Sequence, residues 1–91
     1  VRIHKYPLRV TDVVRLQMPK GAKPLCAQTQ HGEPYLWAAV DADAPNVEHI
    51  INIAGTGHER SDISVGQYVG SFQMLEGALV FHVFDGGEPE A

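Results

Sequence analysis

Five histidines, one cysteine, three serines and a glycine-flanked His-Glu-Arg segment are the residues of this 91-residue chain that could carry chemistry. Histidine is the commonest metal ligand and an ordinary general base, so the spacing of His4, His31, His49, His58 and His82 comes first. No HxxxH, HExxH or CxxC pattern occurs. His58-Glu59 continues as Arg60-Ser61-Asp62, without the second histidine that a zinc protease helix needs. His4, His49 and His82 fall in strand-like runs and could converge only if those strands were neighbours, so no metal site is expected. Cys26 sits between Leu25 and Ala27, where a buried and inert thiol is expected. Ser61, Ser64 and Ser71 have no GxSxG context. Asp41 and Asp43 lie in a turn-forming segment, where aspartate is favoured because it bonds its own backbone. The expectation is a protein that is not an enzyme, with no catalytic residues and no cofactor.

The polar feature that stands out is Gly55-Thr56-Gly57-His58-Glu59-Arg60. Gly55 and Gly57 permit close backbone approach, and their N–H groups with His58 and Arg60 could cradle an anion such as phosphate. The segment is not a P-loop, since both the Lys-Ser/Thr ending and a following helix are missing. Its plainer reading is a glycine-containing strand exit. Gly55, Gly57, His58 and Arg60 are therefore the candidate binding residues. Tyr35 and Trp37, with Phe72 and Phe81, are expected to cluster, as core packing or as a platform for a stacked ligand.

Bulk properties narrow the function classes. Seven Lys and Arg against eleven Asp and Glu give a net charge of −4, whereas a general nucleic-acid binder presents a basic face. Five of the seven bases fall within the first twenty residues, which leaves a weakly basic N-terminal side at most. A lone cysteine allows no internal disulfide, and no apolar run is long enough to span a bilayer. The chain is expected to work in a reducing cytoplasm. A chain of this length buries roughly 60–65% of its unfolded surface, which makes a homo-oligomer the expected way to gain stability.

The elements that must position these residues read as strands. Val1–Tyr6 alternates and ends at Pro7; Val13–Met18 places Val14, Leu16 and Met18 on one face. Leu25–Gln30 alternates more weakly. A His31-Gly32-Glu33-Pro34 turn then leads into Tyr35–Val40, whose two faces are both mostly apolar. Val47–Ala54 follows the Asp41–Asn46 loop, with Val47, His49, Ile51 and Ile53 sharing a face. Gly55–Gly66 is the longest irregular stretch, a length that is often functional. Gln67–Phe84, bent at Leu75-Glu76-Gly77, reads as a central hairpin, with Gly70 marking a bulge or a close backbone approach. No segment carries an amphipathic helical period over three turns. The prediction is an all-β single domain over residues 1–85, a small β-sandwich or partly open barrel of about seven strands. Residues 86–91 are expected to form a flexible tail.

Read end to end, the chain resembles a widespread family of small bacteriophage and prophage proteins. The likeness rests on Ile3-His4-Lys5-Tyr6, Met18-Pro19-Lys20-Gly21-Ala22, Pro34-Tyr35-Leu36-Trp37-Ala38 with Val40-Asp41, and Gly55-Thr56-Gly57-His58. It continues through Tyr68–Gln73 and closes on Gly77–Phe84. The resemblance implies a phage accessory protein in the bacterial host cytoplasm and carries no catalytic residues. Such a protein would bind and inhibit a host defence component, either a protein complex in the manner of an anti-CRISPR or a nucleotide messenger. The alternative is a small structural or assembly protein of the virion.

Overall fold

Period-two alternation builds this molecule, because each strand has one face to bury and a slip of one residue would expose it. The computed structural model describes residues 1–89. Its strands are β1 (Arg2–Pro7), β2 (Val13–Pro19), β3 (Lys23–Gln30), β4 (Glu33–Val40), β5 (Asn46–Gly55), β6 (Tyr68–Met74) and β7 (Leu79–Gly87). A single 3₁₀ turn at Val65–Gln67 precedes β6, and no α-helix occurs among the described residues. Two antiparallel sheets form, ordered β1-β4-β3 and β2-β5-β7-β6. The fold is thus all-β, with seven strands in a sandwich that does not close into a barrel.

The inner faces of both sheets meet in one core. Leu36, Ala38 and Val40 of β4 face Val14 and Met18 of β2, Ile51 and Ile53 of β5, Phe72 of β6 and Val83 of β7. Leu36 and Ile51 are completely buried. Side chains of this kind each contribute about 1.5–3 kcal/mol by leaving water. The apolar sets predicted for β2 and β5 are the faces that point inward, with His49 buried among them.

The two sheets touch along β3 and β6, and Gly70 makes that seam possible. A Cβ at Gly70 would lie 2.9 Å from both the nitrogen and the oxygen of Ala27, closer than real contacts allow. The same position adjoins a register shift between Tyr68 and Gly70, so bulge and close approach coincide. A second shift separates Pro24 from Cys26 and leaves Leu25 as the extra residue, which accounts for the weak alternation of that strand.

Turn chemistry follows the residues. His31 and Gly32, at φ 52° and 81°, form a two-residue hairpin loop of the primed kind that matches strand twist. Glu33, one residue before Pro34, opens the return strand. At the other hairpin Leu75, Glu76 and Gly77 all have positive φ. The expected tail is shorter than predicted. β7 runs through Gly86 and Gly87, and the Gly21 amide donates to a Glu88 carboxylate oxygen at 2.6 Å. Gly86 packs so tightly on β5 that a Cβ would sit 2.8 Å from Ile50 Cγ2, and this close packing carries the strand past residue 85. Residues 90 and 91 of the predicted tail lie outside the described residues. Among the described residues no helix is long and apolar enough to cross a membrane.

Candidate functional site

Gly55 ends β5, and the chain turns at once: the His58 amide donates to the Gly55 carbonyl at 3.1 Å. Gly57, at φ 88°, occupies the turn position that glycine takes without steric cost. The His58 ring lies against Gly55, within 3.2 Å of where a Cβ would stand. Arg60 is turned away from this arrangement. Its Nε and Nη2 donate to the two carboxylate oxygens of Asp62, each at 2.9 Å, and Nη1 donates to the Ile53 carbonyl at 2.8 Å. Nη1 also reaches the Asp12 carbonyl at 3.4 Å. The hydrogen bond to Asp62 raises the Arg60 pKa, and the same bond holds the Asp62 carboxyl below its ordinary value of 3.8. Arg60, with a side chain only 16% exposed, braces the loop onto β5 and the β1–β2 connection. Gly55, Gly57, His58 and Arg60 therefore stand in one loop, with the Gly55 carbonyl, the His58 amide and the Arg60 guanidinium committed to its own turn and brace.

Thr56, which no motif singled out, links this loop to the β6–β7 hairpin. Its Oγ1 lies 3.3 Å from the Val80 carbonyl and 2.7 Å from His82 Nε2. His82 Nδ1 is 2.9 Å from Ser71 Oγ, which is 2.7 Å from the Tyr68 hydroxyl. One direction of donation uses all four contacts. The phenol donates to Ser71, Ser71 to Nδ1, Nε2–H to Thr56, and Thr56 to the Val80 carbonyl. In the opposite sense Thr56 donates to the imidazole and its bond to Val80 is lost. The chain lies on the outer face of the four-stranded sheet, and the β6 bulge assembles it. Without the extra residue Tyr68 and Ser71 would point to opposite faces; with it they pair with Phe84 and His82 on the same one. Same-face placement of His82 with Phe84 was readable from alternation, and Gly70 marked a bulge or a close approach, but nothing local said that it would bring Tyr68 to Ser71.

The outer face of the three-stranded sheet differs in kind. Ile3 and Lys5 of β1, Tyr35 and Trp37 of β4, and Cys26 and Gln28 of β3 share it by register. Ile3 and the bulged Leu25 remain about half exposed, and with Cys26, Gln28 and Trp37 they line a shallow apolar depression. Lys5 Nζ sits 4.5 Å above the Tyr35 ring and donates to Gln30 at 2.9 Å. Two expectations are corrected here. The aromatics do not form one cluster: Tyr35 and Trp37 pair outside at 6.0 Å, while Phe72 and Phe81 stack at 5.5 Å against the core. Alternation sends odd residues of β4 outward. Cys26 is half-buried on this outer face rather than sealed inside, because the Leu25 bulge resets its side.

The histidines do not converge. His4 belongs to the three-stranded sheet, His49 points inward from β5, and His82 points outward from β7. His49 Nε2 meets an Asp85 carboxylate oxygen at 2.6 Å, and its Nδ1 is buried without a partner. Among the described residues no group of three or more His, Cys, Asp or Glu is placed to hold a metal ion.

Comparison with known proteins adds a family. No curated protein matches the chain, and no solved structure matches it. A family model described as a domain of unknown function, DUF7352, matches residues 1–91. The match runs through both outer faces and the loop between them, and the chain belongs to the DUF7352 family.

Proposed function

We propose that the protein acts by binding, and that it docks a partner protein on the outer face of its three-stranded sheet. The observation that carries this is the shallow apolar depression where exposed Ile3 and Leu25 flank half-buried Trp37 and Cys26, a surface that its own chain leaves uncovered. Lys5 and Lys23 lie on the same face by register, paired with Trp37 and Ala39 of β4. A complementary partner is a protein surface apolar at its centre and acidic at its rim. Such a partner suits the reading as a phage accessory protein that inhibits a host defence complex without catalysis. A homo-oligomer through the same face would bring Lys5 and Lys23 of two copies together, which favours a different protein as the occupant.

A nucleotide messenger is the second form of this reading, and here the contact residues shift. Arg60 is committed to Asp62 and Ile53, whereas Arg9 lines a groove with Thr11, Val13, Leu16 and Arg15, the last paired with Glu48 at 3.3 Å. Anionic and apolar chemistry side by side is what a nucleotide would need.

The test is affinity capture from phage-infected bacteria with the wild type and the Trp37→Ser variant, alongside native mass determination. A defence protein retained by the wild type and lost by Trp37→Ser supports the reading; an anchor of this kind is worth about 2 kcal/mol or more, roughly thirtyfold in affinity. Equal capture by both proteins overturns the surface. A stable dimer of the wild type that Trp37→Ser splits makes the occupant a second copy. Recovery of the protein in purified particles at many copies would support the virion alternative instead.

A further inference from the structure

The hydroxyl–imidazole chain on the other sheet has a chemical consequence that docking does not use. We infer that Ser71 is an activated nucleophile that accepts an acyl or phosphonyl group from a small activated donor. Two features of a nucleophilic serine site are present together. The Ser71 hydroxyl stands 2.9 Å from His82 Nδ1, within reach for proton transfer. The far imidazole nitrogen is held at 2.7 Å by Thr56, which is itself anchored to the Val80 carbonyl. The direction of donation that keeps the Thr56–Val80 bond leaves Nδ1 as the unprotonated, accepting nitrogen. A hydroxyl thus takes the orienting place that a carboxylate fills in a Ser-His-Asp triad.

Access and polarity fit as well. Ser71 is half-exposed and lines a groove along the seam of the two sheets with Gln28, Thr29, Phe72 and Gln73. Tyr68 donates to Ser71 Oγ at 2.7 Å, so as the serine loses its proton the phenol steadies the charge on the oxygen.

The step is a displacement. Ser71 Oγ forms a bond to the carbonyl carbon or phosphorus, and its proton passes to His82 Nδ1. The bond to the leaving group breaks, and the leaving group departs with that proton. With a fluorophosphonate the products are the Oγ phosphonyl ester and hydrogen fluoride. The substrate class is small and uncharged at the reacting centre, since the groove walls carry no cation.

The experiment is labelling of the full chain with a fluorophosphonate, followed by intact mass and peptide mapping. A single adduct on Ser71 is expected, with the Ser64→Ala variant labelling like the wild type. His82→Gln slows the rate at least a hundredfold, the usual range for a general base, and Thr56→Val slows it about tenfold, as loss of an orienting bond worth roughly 1.4 kcal/mol. Circular dichroism confirms that each variant is folded, with His82→Asn as the substitute if His82→Gln is not. No adduct, an adduct on Tyr68, or an equal rate in the folded His82 variant overturns the inference. Because none of these readouts involves a partner protein, its failure leaves the docking surface standing, and the reverse holds too.

Discussion

On the three-stranded sheet the residues facing away from the core include Ile3, Cys26 and Trp37; on the four-stranded sheet they include Asn52, Ser71 and His82. Both faces come from the same alternation, yet they reach equilibrium with water differently. Thr56, His82, Ser71 and Tyr68 satisfy one another through bonds of 2.7–2.9 Å, and the Tyr68–Phe84 edge contact at 5.7 Å lies beside them. That face is complete by itself. The apolar face has no such internal solution, because dispersion and burial act only when something covers it. The lesson is that a polar surface arrangement points to chemistry, whereas an apolar one points to a partner.

The largest test of this contrast uses two adjacent residues of β4. Leu36→Ala, on the core side, is expected to cost about 2–5 kcal/mol in a denaturant unfolding experiment. Trp37→Ala, one residue on, is expected to stay within about 1.5 kcal/mol of wild type while losing the partner. Equal destabilisation by the two would mean that the outer face belongs to the core. Next in size is Gly70→Ala, which drives a methyl into the Ala27 backbone and separates the faces where they meet. Overpacking of this sort costs about 1–3 kcal/mol, read as a lower melting temperature. His82→Ala should cost only about 1 kcal/mol, since Ser71 and Thr56 keep other bonds and reach solvent. A much larger loss would make the chain a structural device.

The smallest effect concerns the brace below the polar face. Asp62 has its folded pKa lowered by Arg60, so its contribution is present above the ordinary 3.8 and disappears as pH falls through the folded value. Asp62→Asn should therefore flatten the acid limb of a melting-temperature profile and leave the neutral region nearly level. An unchanged acid limb would show that Arg60 does not depend on that carboxylate.

How far the site could be read from the residues differs by region. The faces of β2, β5 and β7 follow from alternation, and Gly70 was marked as a bulge or a close approach; it is both. Arg60 was legible as a donor but not as a brace, because its acceptors at Ile53 and Asp12 come from elements distant in sequence or lying across the loop. The aromatic residues were expected in one cluster because hydrophobicity does not record which side of a strand a ring occupies relative to another strand.

What the sequence determined by itself is the set of strands, their turns and the alternation within each, since backbone sterics and period-two burial act over neighbouring residues. Gly32 likewise announced its turn through its freedom at positive φ. Tertiary structure alone decided the register shifts at Leu25 and Gly86, and which side chains the shift beside Gly70 brings onto one outer face. One inserted residue reverses every side chain beyond it, and where that insertion falls depends on the partner strand, not on the local run. The Tyr68–Ser71–His82–Thr56 chain and the half-exposed Cys26 both exist for that reason.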